Sequence, residues 1–389
     1  MVGKDLESRV ENLSKEKREE FNDRIKPFEE ELQEELLNQH WSEIDNQIGD
    51  DESELNDFNV IVSCFLEQDE TEYTFIRTEP LIHNNDKNFD VLVAAPSKEV
   101  AVLVEIERTL LDRLPSKLSK FEGKVDVVRS NDTDLDVEKY FEEVISVSPE
   151  EIDYVLSSQI LDPSELEEAA RVSGINFVAW MLGSHGNRCR ISAHTIKEDK
   201  RGPFDGHSDD ELTEYIDNHL ETAVEKQDYV SFTSSSSKYL KLKHMSITLV
   251  NRYQRHTEDA SFNYEDWKRL FEADVDLYNY LKEEKRTLFK RHITYAKEVG
   301  VITVEDDNGS VFKNEFRVIS QATRDQEKLV DELMEKMAKA RMQNDFDEEL
   351  TEKRREVVTE LERDHATGGL TLDDFMDGDS DEEETVNDA

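Results

Sequence analysis

The sequence predicts an α/β protein: a mixed sheet flanked by helices, with charged helical arms at either end. Three observations carry this. Between about residues 50 and 200, β-branched or alternating runs interleave with stretches of helical apolar spacing, as expected of strands and helices wrapped round one core. Residues 5–47 and 321–363 place apolar side chains every three to four positions in an otherwise charged sequence, the pattern of amphipathic helices. Residues 231–320 hold 15 Lys and Arg against 14 Asp and Glu, although the whole chain carries a net charge of -45, so a separate, charge-balanced domain is expected there.

Length and composition bound the rest. A chain of 389 residues exceeds one ordinary core, which predicts two or three folded units with tails. Asp and Glu number 93 against 48 Lys and Arg, nearly two to one. This surplus resembles the habit of proteins from halophilic archaea and their viruses, whose surfaces stay hydrated in molar salt. There the Debye length is about 3 Å, so local charge rather than net charge decides what binds. No apolar run approaches 18 residues and no signal-peptide pattern follows Met1, which predicts a cytoplasmic protein with no membrane partner. Cys64 and Cys189 form no CxxC pair and read as two small buried thiols.

Taken in order, residues 1–49 predict a charged helical arm, with Val10, Leu13, Phe21, Ile25, Phe28, Leu32 and Leu36 on its apolar stripe and a break at Pro27. The acidic patch Asp50-Asp51-Glu52 separates it from a second helix around residues 55–66. Strands are expected at 73–82, 89–95 and 100–106, the last two forming a hairpin over the loop 96–99. A helix over 110–121, a strand at 143–147, helical sequence over 151–172, and strands at 175–182 and 189–195 complete the α/β domain, taken as 50–200. Residues 201–237, with Gly202-Pro203, Gly206 and the serine run 234–237, read as a linker with a short helix. Residues 238–320 form the next domain, 321–365 a long charged helix, and 366–389 a disordered acidic tail.

The hairpin register brings carboxylates together. With 96–99 as the loop, Leu92 faces Leu103 and Asp90 faces Glu105, with Cβ atoms about 5 Å apart. Such a like-charge pair destabilises a sheet unless a cation or a proton lies between the two. Glu107, two residues on, is expected on the same face. Asp90, a hairpin of this length and Glu105-Ile106-Glu107 together resemble the core of the PD-(D/E)xK restriction-endonuclease-like superfamily, and the order of elements agrees. The resemblance implies a Mg²⁺-dependent nuclease, with Mg²⁺ or Mn²⁺ held by Asp90, Glu105 and the carbonyl of Ile106. Glu107 stands where that family usually has Lys. Two readings of the position stay open. Either Glu107 itself binds metal or activates water, or a lysine of the following helix, Lys117 or Lys120, takes the part. The catalytic set is thus Asp90, Glu105, Glu107 and Lys120, with Glu54 or Glu67 as an upstream acid that could complete a metal shell. His83, His194 and His207 do not fall at metal-ligand spacing.

Within 238–320, helical sequence around Trp267, a second helix over 277–299, Gly300 and two alternating strands about Asn308-Gly309 resemble a winged helix-turn-helix. That resemblance puts the second helix in the major groove of DNA, with Lys285, Arg286, Lys290, Arg291, His292 and Lys297 as contacts. Lys238, Lys241, Lys243, Arg252 and Arg255 add positive charge upstream. The alternatives are a non-catalytic DNA-binding regulator on the same fold, or a structural protein-interaction module. The stripe of Leu329, Leu333 and Met337 leaves a homodimer through the C-terminal helix open.

Overall fold

The computed structural model describes residues 2–66, 68–80, 88–108, 111–130, 137–159, 162–173, 177–196, 207–220, 223–251, 261–271, 282–319 and 326–367. Glu67, residues 81–82, His83, Arg252, Arg255, most of the expected Gly/Pro linker, the start of the helix expected at 277–299 and the acidic tail lie outside them. The chain divides into two compact units, Asn46–Val330, and Met1–Asp45 with Asp331–Ala389.

The larger unit is α/β. Among the described residues its sheet has seven strands in sequence order: β1 (Thr74–Thr78), β2 (Val91–Ala95), β3 (Val100–Ile106), β4 (Glu151–Ser158), β5 (Phe177–His185), β6 (Arg188–Ile196) and β7 (Val224–Glu225). β1, β2 and β3 pair antiparallel, β3–β4 and β4–β5 pair parallel, and β5–β6 and β6–β7 return to antiparallel. Parallel neighbours need a crossover, which α3 (Leu114–Ser130) with α4 (Val137–Ile145), and then α5 (Pro163–Ser173), supply. Phe89, Leu92, Leu103, Leu118, Phe121 and Phe141 join one continuous core between these helices and the sheet. On the other face the C-terminal turns of α2 (Lys15–Phe65) supply Phe65, whose ring stacks on Trp180 of β5 at 5.4 Å. Coverage on both faces explains why β2 and most of β3 are unbroken apolar runs rather than alternating ones.

The expected hairpin register is present: Ala95 pairs with Val100 and Leu92 with Leu103. Two neighbouring elements were exchanged in the sequence reading. The strand expected at 143–147 is the end of α4, whose buried Val137, Tyr140, Phe141 and Ile145 repeat at helical rather than strand period. The helix expected from 151 begins instead as β4, where Ile152, Tyr154 and Leu156 alternate onto the core while Val155 faces the opposite side. The helix ends expected near 47 and at Pro27 are also absent. α2 runs unbroken through both, and the break falls at Ser14, whose hydroxyl accepts from the Lys17 N–H. The acidic patch therefore rides on a helix, with Asp51 buried.

The same unit contains α6 (Asp210–Tyr215), α7 (Lys238–Leu249), α8 (Tyr264–Leu270) and α9 (Lys282–Glu298), followed by the antiparallel pair β8 (Ile302–Asp306) and β9 (Glu315–Val318). Phe262 pairs with Phe316 through both backbone bonds, adding a third rung beside the pair. Trp267, Phe271, Phe289 and Phe316 form the aromatic core, with the Trp267 and Phe289 rings 5.2 Å apart. Gly300, at φ +73, ends α9 in the left-handed region that glycine adopts without strain. The hairpin is not closed by a two-residue Asn-Gly turn: β8 ends at Asp306 and β9 starts at Glu315, with Gly309 at φ +73 inside a longer loop. The serine run is no loose linker. Ser237 caps α7, and Ser234, Ser235 and Ser237 hydrogen-bond to Glu79, Glu54 and Asp51.

The smaller unit is helical. α1 (Val2–Asn12), the first turns of α2 and α10 (Gln326–Thr367) bury Leu6, Phe21, Ile25, Leu36, Met342, Leu350 and Val358 against one another. Arg9 to Glu362 at 2.7 Å and His40 to Asp345 at 3.0 Å set an antiparallel pairing. Leu329, Leu333 and Met337, the stripe that left a homodimer open, are buried within the single chain.

Candidate active site

β2 and β3 place two carboxylates side by side. Asp90 stands immediately before β2, whose paired register begins at Val91 opposite Val104; its N–H donates to the Val104 carbonyl at 2.9 Å, and its Oδ2 accepts from the Ile106 N–H at 2.6 Å. Lys124, on α3, donates to both oxygens of Glu105 at 2.5 Å and to the Asn88 carbonyl at 2.8 Å. Its ammonium lies 5.8 Å from the centre of the Phe89 ring. Asp90 and Glu105 keep part of their surface, yet protein crowds both carboxyls. Burial pushes the Asp90 carboxyl well above the ordinary range, and the charge of Glu105 adds to this, while Lys124 and the Ile106 N–H act against it. Glu105 is raised for the same first reason, with Lys124 as the main opposing influence. The like-charge pair is therefore balanced by one ammonium and by carboxyls that hold a proton more readily than usual.

A second acid–base layer adjoins the first. Glu107 is 6% exposed and lies 3.4 Å from Lys117 of α3, and its N–H donates to the Ser157 carbonyl of β4. Arg108 contacts Asp57 of α2 at 3.0 Å. Burial pushes the Asp57 carboxyl up to about 6, against the pull of Arg108. Glu79 donates its N–H to the Asp90 carbonyl at 2.7 Å while its half-buried carboxylate accepts from Ser234, and desolvation raises it too. Glu54 is engaged by Ser235 at 3.1 Å, and Glu67 lies outside the described residues.

Sequence reasoning missed Lys124, Asp57, Arg108 and Glu79. It chose Lys120, which is exposed on α3. The signal for Lys124 was in the spacing. Seven residues separate it from Lys117, about 20° short of two full turns, so the two lie about 40° and 60° from buried Phe121, whereas Lys120 is turned about 100° away from it.

The oxygen donors of Asp90 and Glu105 suit a hard divalent cation, and their raised carboxyls call for positive charge. Mg²⁺ commonly binds through one or two carboxylates, completing its octahedron with waters and substrate phosphate, so these two residues fit such an ion. Among the described residues no group of three or more His, Cys, Asp or Glu side chains is placed to hold a metal. Glu107 faces Lys117.

The basic residues of α9 divide. Lys290, Arg291 and Lys297 are exposed. Lys285 and Arg286 are half-buried, Arg286 lying 4.2 Å over the Phe312 ring. His292 is interior, and burial, with Lys241 nearby, pushes its imidazole down to about 3, so it does not share that surface as a cation. Of the α7 lysines, Lys238 lies over Tyr295, Lys241 donates to the Ser234 carbonyl and Lys243 pairs with Glu52. No helix among the described residues is long and apolar enough to cross a membrane.

No protein-family model, curated protein or solved structure matches the chain.

Proposed function

We propose that this protein hydrolyses phosphodiester bonds in DNA at the Asp90–Glu105–Lys124 cluster, with Mg²⁺ or Mn²⁺ as its cation and residues 238–319 as the DNA-docking element. One observation carries the reading: two desolvated carboxylates, Asp90 just ahead of β2 and Glu105 on β3, lie together beside a lysine contributed by the next helix, which donates to both oxygens of Glu105. The order α2, β1, β2, β3, α3, α4 and β4, antiparallel and then parallel, supports a restriction-endonuclease-like core with its lysine on α3 instead of at position 107. α7, the Phe262 rung, α8, α9 and the β8–β9 pair support a winged helix.

Asp90 and Glu105 would hold the ion, which supplies Lewis-acid polarisation of the phosphate and a more acidic water. The chain's own residues set the field around it. The Ile106 N–H fixes one Asp90 oxygen, leaving the other for a ligand. Lys124 favours the ionised form of Glu105 against the effect of burial and offers its ammonium to the negative charge that grows on a phosphoryl group. Phe89 and Phe121, both fully buried, keep water from the floor of the site, where charges interact more strongly than in bulk.

The test is cleavage of linear, supercoiled and branched DNA in about 2 M KCl, where the acidic surface is screened. Metal-dependent cutting lost in Asp90→Ala, Glu105→Ala and Lys124→Met establishes the nuclease. A non-catalytic DNA-binding regulator is the second reading. It is favoured by the fact that Lys124 already occupies both oxygens of Glu105 while Lys117 faces Glu107. DNA binding without cutting under every metal tried selects it.

A further inference from the structure

A cleft of about 500 Å³ opens between the C-terminal turns of α2, residues 226–231 beyond β7, and α7. That volume lies within the roughly 300–1,000 Å³ of small-molecule sites. The frame is fixed from within. Asn59, which is buried, donates to the Val230 carbonyl at 3.0 Å and accepts from the Val230 N–H at 2.7 Å, and the Gln227 N–H donates to Ser63 Oγ at 2.8 Å, so this stretch is stitched to α2. Leu55, Val230, Leu240 and Ile247 give the cleft an apolar wall. His244 adjoins it, edge-on to the Phe232 and Phe271 rings, and burial keeps its imidazole neutral by pushing it down to about 4. Two ammoniums line the same space from different segments. Lys226 donates to Asn56 Oδ1 and has Asp228 at 3.5 Å, while Lys243 donates to Glu52 at 2.7 Å. The lysine side chains are only 18% and 21% exposed, whereas Asp228 at 87% and Glu52 at 51% stand largely in water. Such water-screened carboxylates offset little of the charge of two largely enclosed ammoniums, each of which has three protons to donate. The Ser231 hydroxyl also lines the cleft and has no hydrogen-bond partner among the described residues.

We propose that this cleft binds a nucleoside monophosphate, with the phosphate between Lys226 and Lys243 and the base against the apolar wall beside His244. A dianion answers two ammoniums at once, which a monocarboxylate cannot, and lysine binds phosphate as a compact point charge. The largely apolar faces of a base suit the wall formed by Leu55, Leu240 and Ile247, and the Ser231 hydroxyl is free to bond to its polar edge. Glu52 and Asp228 keep lone pairs beyond those facing the lysines, and exposed acids of this kind suit the hydroxyls of a ribose. The cleft shares no residue with the Asp90–Glu105–Lys124 cluster, so the proposal is independent of the nuclease reading.

The experiment titrates the full-length chain with adenosine monophosphate by calorimetry at about pH 8, where the phosphate carries close to two charges. EDTA is present, so no metal-loaded centre contributes. One equivalent is expected to bind. Lys226→Met and Lys243→Met should each weaken binding about tenfold, and Ile247→Trp, which fills the cleft, should abolish it, while circular dichroism shows that all three fold. On the unaltered protein, adenosine and inorganic phosphate should each bind at least about tenfold more weakly than the nucleotide, because each offers only half of the contacts. Asp90→Ala should bind it as the parent does. Absence of binding overturns the proposal, as does inorganic phosphate binding as tightly as the nucleotide. Unchanged affinity in both lysine variants overturns it too, and so does binding that is lost in Asp90→Ala but kept in Ile247→Trp.

Discussion

Replacing Asp57 by Asn changes how stability depends on pH by an amount the structure fixes. The Asp57 side chain is 2% exposed, and its carboxyl rises from 3.8 to about 6 on folding because burial outweighs the Arg108 contact at 3.0 Å. A carboxyl whose folded value is raised binds more protons in the native state than in the unfolded one. Its stabilising contribution is complete below pH 3.8 and is lost as pH rises through about 6. At about 1.36 kcal/mol per pH unit over that interval the loss is about 3 kcal/mol. Asn keeps the volume and cannot titrate. Urea unfolding of both proteins at half-unit steps from pH 3.5 to 8 should therefore show the wild type losing about 3 kcal/mol relative to Asp57→Asn across the window, with the curves parallel above it. Asp90 and Glu105 titrate in the same direction in both proteins, so they cancel in the difference. Parallel curves throughout would refute the claim that Asp57 is held desolvated beside Arg108.

The remaining expectations concern the carboxylate cluster, the aromatic core and the basic helix. Lys124→Met removes the ammonium from two crowded carboxylates and should cost about 3 kcal/mol in urea unfolding at pH 8, most of it recovered in the double variant with Glu105→Gln. His292 should stay neutral down to about pH 4, since its imidazole is pushed down to about 3; nuclear magnetic resonance of the ring protons should show no titration between pH 5 and 8. Phe289→Ala empties the centre of the aromatic cluster around Trp267 and should cost about 3–5 kcal/mol in urea unfolding. If α9 contacts phosphates, replacing Lys290 and Arg291 by Gln should flatten the dependence of log K on log salt by about 2 while leaving sequence preference unchanged.

What the sequence revealed and what it hid follow from the range of the interactions. The β2–β3 hairpin was legible because a short polar loop between two apolar runs leaves one register that buries both, and Asp90 stands just ahead of it, bonded to the Ile106 N–H. The exchange of α4 and β4 arose because acidic side chains decorate both segments, and the deciding apolar positions, Tyr140 and Phe141 against Tyr154 and Leu156, are few. Asp57 and Glu79 enter the site from other elements, so no local pattern marks them, whereas the helical spacing from Lys117 marks Lys124. His292 read as one more member of a basic cluster. Its helical phase, one turn beyond Phe289 and adjacent to Ile293, places it among the buried positions of α9.

The antiparallel arm also sets the timetable of the chain's birth. Arg9 and Glu362 are hydrogen-bonded although 353 residues separate them. At roughly 5–20 residues per second, the N-terminal half of that helical unit waits about 20–70 s for its partner to leave the ribosome. Throughout that interval Leu6, Phe21, Ile25 and Leu36 have no α10 to cover them, while the intervening sheet can already be folding. The dense charge around those four side chains is then what keeps a nascent chain apart from its neighbours, a task that ends when α10 docks.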